Sequence, residues 1–156
     1  MVKNLKNKTL SVVLATALFY SFMVFLSGCE QTTIETNNNP VVIPTSEFVL
    51  EDCSWTNITS DTVNIINSTD ELANYVNCEN DLPDINFSTQ TLLVVRGGAT
   101  NGIQSITSEL TKNEGQYTLN IDILLDDTFV APGWLVALLS NKLATDNIKL
   151  NVVSHH

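Results

Sequence analysis

Between 117 and 126 the chain alternates. Tyr117, Leu119, Ile121, Ile123 and Leu125 are apolar, while Thr118, Asn120, Asp122 and Asp126 are polar. A period of two is that of a strand with one face buried and the other in water. The pattern at 92–95 differs: Leu92, Leu93, Val94 and Val95 form an unbroken apolar run that Gly97-Gly98 ends. This predicts a central strand covered on both faces. Ile148, Leu150 and Val152 alternate with Lys149 and Asn151, and 134–139 (WLVALL) follows Pro132-Gly133 and is too short for a stable helix, so both read as strands. Nearer the N-terminus, 48–56 and 62–67 carry strand-forming residues around the polar stretch 57–61, which predicts a hairpin. Ser68-Thr69-Asp70-Glu71 has capping-box spacing, and Leu72, Tyr75 and Val76 repeat at helical intervals, so one short helix is expected over 69–77. Leu82-Pro83-Asp84 reads as an extended loop, and Phe87 as a core anchor. Together these elements predict an α+β, mainly β fold: an antiparallel sheet folded into a barrel or sandwich, with one short helix at an end.

The first 28 residues have a different character. Lys3, Lys6 and Lys8 precede an apolar run over 10–26, which is near the short limit for a spanning helix and reads as a signal peptide. Leu26-Ser27-Gly28-Cys29 resembles the lipobox of bacterial lipoprotein signal peptides, in which the cysteine thiol takes the diacylglycerol (with palmitate-like acyl chains) and becomes the mature N-terminus. The resemblance implies lipidation at Cys29 and a cell-envelope protein held at the membrane by its anchor; an uncleaved anchor helix is the alternative. Two or three acyl chains hold a protein essentially permanently, each buried methylene contributing about 0.8 kcal/mol. Glu30 rather than aspartate follows the cysteine, which by the sorting pattern of didermal bacteria implies the outer membrane. The organisation expected is therefore a signal peptide over 1–28, a lipidated N-terminus and flexible linker over 29–46, rich in Thr, Asn and Pro, and a globular domain over 47–153.

Charge narrows the partners. The 17 acidic residues outweigh 7 basic ones, a formal net charge of -10, and cleavage before Cys29 removes three lysines and no acid, giving -13. Such a chain cannot assemble the cationic stripe that neutralises phosphates, so nucleic acid is excluded as a partner. Once Cys29 carries lipid, Cys53 and Cys78 are the remaining cysteines of an exported chain, which predicts a disulfide between them worth roughly 3.5 kcal/mol by loop closure.

The residues offer little catalytic chemistry. Both histidines, His155 and His156, are the last two residues, where a frayed end is expected, and a histidine general base is improbable there. Neither a phosphate loop nor a zinc-type cysteine pair is present, and the reading is of a protein that is not an enzyme and needs no cofactor or metal. Asp122, Asp126 and Asp127 read as a solvated acidic face rather than an acid/base pair or calcium loop. Arg96, the only arginine, reads first as the partner of one of the many acids, and second as a carboxylate binder. Trp134, beside a Pro-Gly turn, is either displayed at a loop tip as a binding anchor or buried as the first core residue of its strand, and the sequence leaves both open.

From Ile65 to Val153 the order of elements resembles the PrcB C-terminal domain, found in a lipoprotein associated with a secreted protease complex, and small Bacteroides-type lipoproteins related to it. The residues that carry the resemblance are 82–88 (LPDINFS), the strand 91–95, the stretch 97–103 (GGATNGI), 131–134 (APGW) and the strand 148–153. Where that family often has a Gly-Gly-Tyr-like step, this chain has Asn101-Gly102-Ile103. More distantly, two loops resemble those of chagasin-type cysteine protease inhibitors, with 99–102 and 132–134 in the parts of the Thr-Gly-Tyr-type and Pro-Trp loops; the third inhibitor loop has no counterpart here. Both resemblances imply a protein that binds protein, a protease or another envelope protein, through Thr100, Asn101, Gly102, Pro132, Gly133 and Trp134. A glycan-binding or surface-assembly role is a third reading, resting on a displayed tryptophan.

Overall fold

The structure is a computed structural model that describes residues 39–156. The signal peptide, Cys29 and the linker up to residue 38 lie outside the described residues. The chain order is β1 (Val41–Ile43), β2 (Thr45–Glu47), β3 (Cys53–Trp55), β4 (Asn64–Ile66), α1 (Thr69–Ala73), β5 (Val76–Cys78), β6 (Gln90–Gly98), β7 (Ile103–Asn113), β8 (Gln116–Leu125), β9 (Gly133–Asn141) and β10 (Ile148–His155).

Ten strands and one five-residue helix make the domain mainly β. One sheet has the order β1-β7-β8-β10 and a second the order β2-β9-β6-β4, while β3 and β5 form a separate pair. All pairings are antiparallel except β10 on β8. Neither sheet closes into a barrel, and the arrangement is sandwich-like. The long β7–β8 hairpin turns through Glu114 and Gly115, both at positive φ (49° and 87°), the conformation a tight two-residue hairpin turn demands.

The apolar residues form two cores. The first lies between the sheets, where Leu119, Ile121, Ile123 and Leu125 of β8 meet Leu93 and Val95 of β6 and Trp134 and Leu138 of β9. The second lies on the far face of the β6 sheet, where Leu92, Val94 and Ala137 meet Ile58, Ile66, Leu72, Val76 and Ile85. Strand β6 therefore has both faces covered, which is why 92–95 can be apolar without interruption. Strand β8 has one covered face, and Asp122 on the other is exposed. Phe87 packs on the second core, as expected.

Three local expectations change. Residues 41–46, assigned to the linker by composition, form with Glu47 two strands that cross from one sheet to the other at Pro44, β1 pairing with β7 and β2 with β9. The β structure also runs two residues beyond Val153, to His155. The hairpin between 48–56 and 62–67 does not form: β4 pairs with β6 and β3 with β5. Joining the larger sheet lets Ile66 reach full burial in the second core, whereas an isolated two-stranded hairpin has no such cover. The helix is shorter than 69–77, ending at Ala73, and Val76 becomes the first residue of a strand. Its start is as read: Ser68 Oγ accepts from Glu71 N at 3.1 Å, and Glu71 Oε2 accepts from Asn67 N at 2.6 Å, one residue before the reciprocal bond of a capping box. The disulfide forms as predicted, Cys53 to Cys78, with a Cα–Cα distance of 4.1 Å, and closes the β3–β5 pair at directly opposed residues.

Candidate functional site

The β6–β7 and β8–β9 loops, expected to act together, are joined by three main-chain hydrogen bonds. Ala99 N donates to Pro132 O at 3.0 Å, Gly102 N to Thr128 O at 3.0 Å and Asp126 N to Gly102 O at 2.9 Å. The two connections are thus one surface, although the strands β7 and β8 lie between them in the chain and Ala99 and Pro132 are 33 positions apart.

Within this surface the six residues singled out from sequence divide. Thr100 and Gly133 are exposed, Asn101 and Pro132 half-buried, and Gly102 and Trp134 buried. Gly102 leaves room for the Asp126 and Thr128 side chains, which a Cβ there would overlap. Asp126 Oδ1 accepts from Thr128 N at 2.8 Å and from the Thr128 hydroxyl. These two bonds, the hydroxyl's first and the amide's second, hold the Asp126 carboxyl below the ordinary aspartate range.

Trp134 resolves to the buried alternative. It is 6% exposed and sits in the core between the sheets. Gly97 is its directly opposed partner on β6, and a Cβ at Gly97 would clash with the indole ring, so the glycine makes the space that the tryptophan fills. Indole Nε1 is buried with no hydrogen-bond partner among the described residues. Trp134 therefore cannot act as the displayed anchor, and the glycan reading loses the aromatic that suggested it.

A displayed aromatic is nevertheless present, five residues earlier. Phe129 is 98% exposed and Val130 59%, on the loop that carries the bonds to 99–102. The Pro-Gly turn motif points to Trp134 and gives no sign of Phe129. The usable signal was different: Phe129 lies outside the alternation of both β8 and β9, between Asp126-Asp127-Thr128 and Pro132, so no sheet offers it a buried position.

The remaining candidates stand apart. Arg96 is exposed, and its main-chain carbonyl accepts from Asp61 N at 2.9 Å; among the described residues no carboxylate lies within ion-pair distance of its guanidinium, against the expected salt bridge. Asp122 is on the outer face of β8, as expected, but Asp126 lies past the strand end in the loop, and Asp127 is exposed. His155 is not at a frayed end: it closes β10, with Nδ1 3.1 Å from Asp122 Oδ1. Both side chains of this pair are about half exposed. Among the described residues no group of three His, Cys, Asp or Glu side chains is placed to hold a metal ion, and no helix is long and apolar enough to cross a membrane. Set against family models, curated proteins and solved structures, the chain matches none.

Proposed function

We propose that this is a non-enzymatic, lipid-anchored envelope protein whose domain binds another envelope or secreted protein through the joined loops 99–102 and 126–132. The observation that carries the proposal is Phe129, almost wholly exposed on a loop that three main-chain bonds tie to its neighbour. A large apolar side chain on a braced loop presents contact area at low entropic cost, which is what a binding hot spot requires. Thr100, Asn101 and Pro132 belong to the same pair of bonded loops, Thr100 exposed and the other two half-buried. The lipobox-like Leu26-Ser27-Gly28-Cys29 supports an anchored location at the outer membrane, and the resemblance to the PrcB C-terminal domain supports a protease-complex accessory role.

The chagasin-like inhibitor reading is the weaker one, since the tryptophan it would place in a protease cleft is in the core. The test is capture of partners from the native envelope by the full-length lipidated protein after mild cross-linking, compared with Phe129→Ala and with Cys29→Ser. A stoichiometric partner held by the parent and lost by Phe129→Ala is the expected outcome. Equal capture by both removes the loop reading. Trp134→Ala is unsuited to this test, because it would disturb the core rather than the surface.

A further inference from the structure

One side of the sandwich is only half closed. The segment that crosses between the sheets covers β7 at 110–112 and β9 at 138–140, and its last bond runs from Phe48 N to Ala137 O at 2.9 Å. Beyond it, β7 over 103–109 pairs with β8 alone, and β9 over 133–136 pairs with β6 alone. Residues of both uncovered stretches line one groove of about 260 Å³, formed by Ile106 and Ser108 of β7, Glu47 of β2, and Leu135, Val136 and Leu138 of β9. A free strand edge presents main-chain donors and acceptors that an incoming strand can satisfy, and proteins usually blunt such edges with lysine or proline. Over 103–109 (IQSITSE) there is neither, and the one irregularity is a bulge at Gln104 near the strand's start.

We infer that the free edge of β7 accepts an extended, basic segment of a partner protein as an added strand. Alternate apolar side chains of that segment enter the groove beside Ile106 and Val136, and its basic side chains, projecting from the opposite face, meet Glu109 on the outer face of the same edge strand. Charge selects this occupant. The groove lining holds one charged side chain, which is acidic, and the described residues carry only Arg96, Lys112, Lys142 and Lys149 as bases against fifteen acids. A second copy of the chain would bring like charge to the edge. The chain's own preceding residues enter β1 at Val41, opposite Lys112, the end of β7 remote from 103–109. The inference rests on the protein-binding reading but uses a different surface from the Phe129 loop.

The test uses the full-length protein in detergent and a fluorescent peptide of four Val-Lys repeats, with four Val-Glu repeats and a backbone N-methylated Val-Lys peptide as controls. Saturable binding is expected for Val-Lys, about tenfold or more weaker for Val-Glu and for the Glu109→Lys protein, because charge selects the segment. N-methylation should abolish it, since main-chain bonds carry strand addition. Hydrogen exchange should slow at 103–109, and Phe129→Ala should leave the affinity unchanged, which separates this surface from the loop. The inference is overturned by absence of saturable binding up to about 1 mM, by binding that survives N-methylation, or by protection appearing instead at the β10 edge. Protection of 103–109 without peptide, together with a dimer in sedimentation, would assign the edge to a second copy and overturn it equally.

Discussion

Gly97 and Trp134 occupy opposed positions on β6 and β9, and each is explained by the other. The indole occupies the volume that any side chain at 97 would need. Gly97→Ala should therefore cost about 1–3 kcal/mol, the usual range for overpacking a filled core. Trp134→Ala should cost more, about 3–5 kcal/mol, and Trp134→Phe much less than Trp134→Ala, because it also removes a buried N–H that has no partner. Urea midpoints for the three variants check the order. Asp126 makes a separate prediction at the same scale. Its folded-state pKa is depressed by the two Thr128 bonds, so the stabilisation it gives the loop is present above the ordinary aspartate value of about 3.9 and is lost as pH falls through the lower, folded-state value. An NMR titration of the Asp126 carboxyl should show a midpoint below that of a free aspartate, and Thr128→Val should move it upward.

Among the elements, the β3–β5 pair is the one that depends on a covalent bond. Each strand has three residues and pairs with no other, and the disulfide closes a separation of 25 residues that also contains β4 and α1. Replacing both cysteines by alanine should lower stability by about 3.5 kcal/mol on the loop-entropy account, measured as the difference in unfolding free energy under oxidising conditions. The covering layer of the second core, Trp55, Val76 and Leu72 among it, should gain hydrogen exchange before β6 does. The cysteine pairing was legible because two cysteines allow one bond. The strand pairing was not: residues 48–56 and 62–67 both have strand composition, and proximity along the chain suggested a hairpin, but nothing in either segment says that β4 would find its neighbour about 28 positions later at Leu92, Leu93 and Val94. Likewise Tyr75 and Val76 fit helical spacing and strand alternation equally, and the β3 edge decided for the strand at Val76.

For the molecule as a whole, the crossing segment is a structural part and not a spacer. An internal deletion of residues 41–47 that keeps the N-terminus would uncover both sheet edges at once. It should lower stability by about 1–2 kcal/mol, mainly through loss of the contact Ile43 makes with the first core, and should promote self-association visible in sedimentation, since two longer free edges would then face solvent. The sequence by itself determined the class of the fold, the doubly covered strand, the half-buried strand, the helix start and the disulfide, because each depends on burial patterns or bonding options carried by residues close together in the chain. The tertiary structure alone decided that Trp134 is core and Phe129 displayed, that the two loops form one surface, and that residues with linker composition complete both sheets. Those outcomes depend on which strand lies opposite which, and register is fixed by packing across the sandwich, where distant residues compete for the same space.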